Sequence, residues 1–297
     1  FDGSTHAPMP IEPGEVGASA GAVPAWLAPL LAAPVEQAAL LGRAPVDLRV
    51  NRLKATPATV AGQLPDAQPI AGLPDGLRLP EGFPVEQADP WKQGLVEVQD
   101  GGSQMIALAC AAAPGMTVVD LCAGAGGKTL ALAAAMAGQG TLIAADTIRA
   151  RLARLSPRAE RAGATFIETL LIDQGHAGRG LDSLHGKADV VLVDAPCSGT
   201  GTWRRNPEAR WRLTQARLDR LVAEQARIMD FAAPLLAPGG ALVYATCALD
   251  GFLARHDGWT AEALDMPLGR AHGDGWLLTP GHDGTDGFFF ARLRRSA

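Results

Sequence analysis

The stretch that decides the fold is Thr117-Val118-Val119-Asp120-Leu121-Cys122-Ala123-Gly124-Ala125-Gly126-Gly127-Lys128-Thr129. Residues 117–121 form a short β-rich run with an acid near its end, which predicts a buried strand. A tight turn of small residues follows, and the alanine-rich stretch from Lys128 to about Ala137 predicts a helix. The pattern repeats downstream. Residues 141–146 read as a second strand ending in an acid. Residues 148–162 are helical in pattern, with Pro157 expected to kink or split the helix. Residues 165–173 and 188–194 read as further strands. Leu218, Leu221, Val222, Met229 and Ala232 share one face of a long helix that Pro238-Gly239-Gly240 is expected to stop. Residues 241–246 and 287–293 complete the set of strands. Apolar strands alternating with helices imply an α/β fold, a mostly parallel sheet with helices on both faces. In such sheets ligands lie beyond the carboxyl ends of the strands. The chemistry-bearing residues gather there: Asp120 to Lys128, Asp146, Asp173, Asp194 to Cys197, and Thr246-Cys247.

Outward from this core, residues 1–23 are rich in Gly, Ala, Pro and Ser and read as a flexible tail. Residues 24–95 mix short apolar runs with prolines and include an alternating strand at 47–53, so they predict a small α+β domain. Residues 96–297 form the larger domain. With 47% hydrophobic and 19% charged residues among 297, the chain can bury a sizeable core. It has neither an apolar run long enough to span a membrane nor a signal-peptide pattern at its start. A chain beginning at Phe1 is expected to be part of a longer one. Its four cysteines, Cys110, Cys122, Cys197 and Cys247, form no C-x-x-C pair. That argues against structural zinc and for reduced thiols in a cytoplasmic, metal-free protein, expected to be monomeric.

Three uses of the glycine-rich turn compete. A Walker A loop needs glycine at 122, where Cys122 stands. A dinucleotide fingerprint on Gly124 and Gly126 needs a third glycine at 129, where Thr129 stands. A methyltransferase turn needs an acid ending the strand and small residues that let backbone N–H groups approach the cofactor, and both are present. Asp146, 20 residues after Gly126, can accept both hydroxyls of a nucleoside ribose. This acid favours a nucleoside cofactor over an empty turn without excluding NAD.

Two cysteines end two central strands, in Asp194-Ala195-Pro196-Cys197-Ser198-Gly199-Thr200-Gly201 and Tyr244-Ala245-Thr246-Cys247. One such cysteine is more often an inert buried residue; a pair at adjacent strand ends beside the cofactor edge is harder to dismiss. With Leu48-Arg49-Val50-Asn51, Val98-Gln99-Asp100, Arg204-Arg205-Asn206-Pro207 and Asp286-Gly287-Phe288-Phe289, these motifs resemble the Nop/Sun family of RNA cytosine-C5 methyltransferases, most of all its bacterial members acting on 16S ribosomal RNA. The resemblance runs from about Val23 to Leu293. It implies a Rossmann-like class I methyltransferase domain that uses S-adenosyl-L-methionine. Cys122, Ala123, Gly124, Ala125, Gly126, Gly127 and Lys128 would cradle the methionine part. Asp146 would take the ribose, Asp173 would lie by the adenine amino group, and Asp194 would sit between cofactor and base. Cys247 would be the nucleophile, with Cys197 assisting release of the product and Lys128 keeping the Cys247 thiolate ionised. Transfer RNA, or another substrate of the same fold, is the alternative to ribosomal RNA.

Net charge is −5, so an RNA partner requires a local basic surface. Residues 204–227 hold seven arginines against three acids, a net of +4. Trp203 and Trp211 lie among them and are candidates for stacking on bases. Arg204 and Arg205, beside the catalytic loop, and Arg49 and Arg52, on the small-domain strand, are the expected RNA contacts. The helix from Arg217 onward reads as an ordinary solvated face. The sequence departs from the family at Gly124 and Ala125, where alanine and proline are usual, and after Cys247, where a serine and a Glu-Asn pair are missing.

Overall fold

A computed structural model describes residues 23–31, 34–172, 180–246 and 258–295, together with Gly14. Asp173 and Cys247 lie outside the described residues, as does most of the expected tail.

The small domain opens with helix α1 (Pro34–Ala39) and carries a four-stranded antiparallel sheet in the order β2-β3-β1-β4. Its strands are β1 (Val46–Val50), β2 (Gln68–Pro69), β3 (Gly76–Leu79) and β4 (Val96–Val98). Leu48, Val50, Leu77, Leu79 and Val96 are buried together with Val60 of helix α2 (Pro57–Ala61). Thr56 caps that helix by accepting from the Thr59 N–H, and Pro57 fills the first position, where no donor is needed. A short helix α3 (Asp89–Lys92) leads into β4. Because β4 pairs with β1, the small sheet extends past the expected boundary at 95.

The large domain follows through α4 (Gly101–Ala109). It is built on β5 (Thr117–Asp120), α5 (Gly127–Ala135), β6 (Thr141–Asp146), α6 (Arg149–Ala162), β7 (Ile167–Leu171), β8 (Ala188–Asp194), α7 (Gln215–Ala232) and β9 (Leu236–Ala245). Strands β10 (Trp259–Ala261), β11 (Arg270–His272), β12 (Gly275–Leu278) and β13 (Phe288–Arg295) complete it. The sheet runs β11-β12-β13-β9-β8-β5-β6-β7, with β10 also on β13. Strands β7, β6, β5, β8 and β9 are parallel, and β13 lies antiparallel to β9. This is the Rossmann-like α/β arrangement.

Alternation along each strand divides the core. Val118, Val190 and Leu192 face α4, α5 and α6, packing with Met105, Leu130 and Leu155. Val119, Val191 and Val193 face the other way, onto Met229 and Ala232 of α7. Burial on both faces is why these strands are apolar throughout.

The structure corrects three local expectations. Helix α6 runs unbroken through Pro157, whose ring lies on the exposed side while Leu152, Leu155, Ala159 and Ala162 are buried. Pro238-Gly239-Gly240 does not stop α7. The helix gives way to a 3-10 turn at Ala233–Leu235, and the Pro-Gly-Gly segment bulges within β9, shifting its register against β8. Gly239 takes φ +75° there. Val222 is exposed, so the buried face of α7 is Gln225, Met229 and Ala232.

The domains meet at close range. Asn51 Nδ2 donates to the Gly94 carbonyl at 2.8 Å and to the Ala162 carbonyl of α6 at 2.7 Å. Gly94 has φ +72°, and a Cβ there would lie 1.9 Å from the Arg161 carbonyl oxygen. Gly94→Ala is therefore expected to lower the unfolding free energy by about 2–4 kcal/mol in urea titrations; a change under about 0.5 kcal/mol would contradict this close approach.

Candidate functional site

The site lies along the carboxyl edge of the parallel strands. Leu121 N–H bonds the Leu192 carbonyl and Ala123 N–H the Ala145 carbonyl, so the chain leaves β5 stitched to both neighbours. Gly124 and Gly126 then take φ +56° and +87°. At Gly126 the positive φ favours glycine, and a Cβ would lie 2.1 Å from Leu155 Cδ1, so that side chain would have to shift. Helix α5 starts at Gly127, with its first N–H groups at the strand edge.

Asp146 is tied to this turn. Its carboxylate accepts from Gly124 N–H at 2.9 Å and from Ile148 N–H at 2.8 Å. The two acids expected to flank the cofactor are thus displayed unevenly. Asp146 borders the turn, and Asp173 falls outside the described residues.

Asp120 lies beneath the turn, fully buried. Oδ2 accepts from Thr129 Oγ1 at 2.7 Å, while Oδ1 is buried with no partner. Burial pushes its carboxyl up to about pKa 7, with the Thr129 bond opposing. The sequence marks Asp120 as the acid ending a strand, but nothing in it signals this shift.

Beyond the turn, Lys128 Nζ donates to Asp194 Oδ2 at 2.6 Å and lies 5.4 Å from the centre of the Phe288 ring. Lys128 was expected to serve the Cys247 thiolate; here its partner is Asp194. Strands β8 and β9 are parallel neighbours with Asp194 opposite Ala245, so the segments bearing Cys197 and Thr246 leave one edge side by side. Cys197 is exposed. Burial pushes the thiols of Cys110 and Cys122 well above the usual range, which holds both protonated.

Gln225 of α7, which belongs to no motif, reaches this edge. Its amide nitrogen donates to the Pro196 carbonyl at 2.7 Å and to Thr246 Oγ1 at 2.9 Å, and its oxygen accepts from Tyr244 Oη at 3.2 Å. Its one sequence signal is a glutamine on the inward side of an amphipathic helix.

The expected RNA contacts fall into two kinds. Arg204 is 6% exposed and pairs with Asp286 at 3.1 Å. Arg49 is buried, donates to Gln99 Oε1 at 2.7 Å, and its pKa is lowered to about 10 by burial. Arg205 is 37% exposed although it binds Asp286 and Asp100, and Arg52 is 47% exposed and 3.7 Å from Asp75. Trp203 is not available for stacking. The 3-10 turn Thr200–Thr202 directs it inward, where it packs with Val23, Leu27, Leu40 and Leu213. Trp211 is 58% exposed.

Residues 106–294 match the family model for the 16S rRNA methyltransferase RsmB/F. The chain belongs to this family. The probable ribosomal RNA small subunit methyltransferase B of Synechocystis is 35% identical over 270 residues, covering 84% of this chain and 60% of that protein. The ribosomal RNA small subunit methyltransferase B of Xanthomonas campestris is 34% identical over 268 residues, covering 86% and 61%. The chain thus spans about 60% of the length of these relatives. A crystal structure of a methyltransferase homologue from Pyrococcus horikoshii shares the fold, with a TM-score of 0.75 at 24% identity over 88% of this chain and 90% of that one.

Asp120 gives a pH signature to this RsmB/F-type site. Its folded pKa of about 7 exceeds the unfolded value near 4, so between these pH values the folded state binds more protons. Its contribution to stability therefore falls as pH rises from about 4 to 7 and stays low above. Between pH 5 and 8 the wild type is expected to lose about 2 kcal/mol more unfolding free energy than Asp120→Asn. Parallel pH dependences for the two proteins would contradict the buried, neutral carboxyl.

Proposed function

We propose that the chain is the catalytic part of an enzyme that methylates C5 of a cytosine in RNA, with 16S ribosomal RNA as the substrate. One observation carries this reading. The Cys197 loop and Thr246, the residue before Cys247 in the sequence, leave adjacent parallel strands beside the Lys128–Asp194 pair and the glycine turn. Family membership supports the RNA substrate.

The turn suits S-adenosyl-L-methionine. A Cβ at Gly127 would meet nothing within 4 Å, and one at Gly124 only the Cys122 carbonyl at 4.0 Å, so a cradle stays open between the turn and Asp146. Residues 122–128 would hold the methionine part, Asp146 the ribose and Asp173 the adenine. When bound, the cofactor supplies an electrophilic methyl group on a sulfonium.

The protein has to make a poor carbon nucleophile reactive. The Cys247 thiolate adds to C6 of cytosine and forms a C–S bond, and the Lys128–Asp194 pair supplies a proton to N3. C5, now part of an enamine, is the carbon nucleophile that would accept a methyl group from the bound cofactor. Cys197 as thiolate removes the C5 proton, the C5–H electrons form the C5=C6 double bond as the C6–S bond breaks and frees Cys247, and N3 returns its proton to the Lys128–Asp194 pair. The base has to leave its stack to enter the site. Arg52 and Arg205, both partly exposed, would meet phosphates, with Arg49 and Arg204 bracing the segments behind them.

In the full-length protein assayed with 16S ribosomal RNA and with transfer RNA, Cys247→Ala is expected to abolish 5-methylcytosine formation. Cys197→Ala is expected to accumulate protein covalently joined to RNA on denaturing gels. Undiminished 5-methylcytosine from Cys247→Ala would sink the mechanism, and methylation of transfer RNA alone would move the substrate.

A further inference from the structure

We propose that Gln225 is a positioning residue for the two thiols, a cross-tie that sets the spacing of Pro196 and Thr246, the residues that precede Cys197 and Cys247 in the sequence. The inference rests on the proposed role of those cysteines and goes beyond it by naming what holds their segments in register.

Gln225 stands on the buried face of α7 and is 5% exposed. A buried amide is costly unless its donors and acceptor are matched, and a methionine would fill similar space without that demand. All its groups are engaged, and their targets are specific. The Pro196 carbonyl can only accept, so it fixes the amide with nitrogen towards that loop. The second N–H reaches the Thr246 hydroxyl, and Tyr244 donates to the amide oxygen. Pro196 immediately precedes Cys197, and Thr246 immediately precedes Cys247.

Among the described residues, backbone pairing between β8 and β9 stops short of Pro196 and Thr246. Their register ends at Asp194 opposite Ala245, and one further bond joins Ala195 N–H to the Ala245 carbonyl at 3.3 Å. Past it, the Gln225 amide links the Pro196 carbonyl to the Thr246 hydroxyl. Elsewhere Thr246 N–H bonds the Phe289 carbonyl of β13, which fixes it on its other side. One side chain thus spans the two strand ends just beyond their last described backbone pair.

Two thiols acting in sequence on C6 and C5 of one ring need a fixed separation. A displacement of about 1 Å in such a site can cost on the order of 100-fold in rate. Removing the cross-tie should therefore slow turnover while leaving the cofactor turn and the RNA-facing arginines, which Gln225 does not touch, in working order.

The test uses the full-length enzyme with ribosomal RNA. Gln225→Met is expected to fold and to bind S-adenosyl-L-methionine with a Kd within about 3-fold of wild type. Its RNA KM should change by less than about 3-fold and its kcat should fall by about 10- to 100-fold. Thr246→Val, which removes one of the three bonds, should show the same split with a smaller loss, and it carries the test if Gln225→Met does not fold. A kcat within about 2-fold of wild type in the folded variant overturns the proposal. So does a kcat loss matched by an equal loss of cofactor and RNA affinity, which marks general damage. Cys247→Ala measured alongside keeps the two ideas separate: activity in that variant refutes the thiol mechanism, whereas an inactive Cys247→Ala beside a fully active Gln225→Met refutes only the cross-tie.

Discussion

The buried carboxylate of Asp286 constrains the rest of this structure. Its side chain is almost wholly withdrawn from water, and an unpaired charge there would be strongly destabilising. Arg204 and Arg205 approach it from the segment after β8, and Arg205 continues to Asp100 and to the Pro45 carbonyl. Asp100 in turn caps α4 by accepting from Gly102 and Ser103. It also accepts from Asp286 N–H, and burial together with the Asp286 charge raises its pKa. Beside it, Asp47 takes two bonds from Arg78 and one from Gly101 N–H. One connected set of charges therefore fixes the small domain, the start of α4, the segment beyond Cys197 and the approach to β13. The backbone closes the same junction, since Gly287 N–H bonds the Gly201 carbonyl and a Cβ at Gly201 would lie 1.9 Å from the Gly287 oxygen.

This network makes the site depend on elements far apart in sequence. The turn after β5 is local, shaped by two left-handed glycines and the packing of Leu155. The opposite wall is not. Phe288 lies against Lys128 because β13 is inserted beside β9, and β13 is anchored at its start by Asp286. A change in the acid–arginine network should thus reach the Lys128–Asp194 pair through β13 rather than through the glycine turn.

The strands were legible because each is apolar on both faces, and the turn because glycine and alanine have few other uses between a strand and a helix. The pairing of the Cys197 and Thr246 strand ends followed from the same logic. Less legible were features set by what meets a residue from elsewhere. Pro157 is harmless because it sits on the solvent side of a helix held by four buried residues. Pro238-Gly239-Gly240 reads as a helix stop, yet β9 absorbs it as a bulge. Trp203 among arginines suggests base stacking, but a single 3-10 turn sends it into a cluster with Val23 and Leu27. Gln225 has no motif at all, because its meaning lies in two carbonyl-edge partners 29 and 21 residues away.

The charge count shows the same limit and bears on how RNA could be held. The +4 of residues 204–227 treats every arginine as free. Arg204 and Arg205 are balanced by Asp286 and Asp100, which lie outside that window, and Arg210 is buried between two tryptophan rings while donating to the Pro207 carbonyl. The positive charge left for phosphates is therefore smaller than the sequence window suggests. Each phosphate contact adds to a salt-dependent, sequence-independent affinity. With Arg205 already shared between Asp286 and Asp100, a phosphate there would compete with two carboxylates and add less affinity of that kind than an unpaired arginine would.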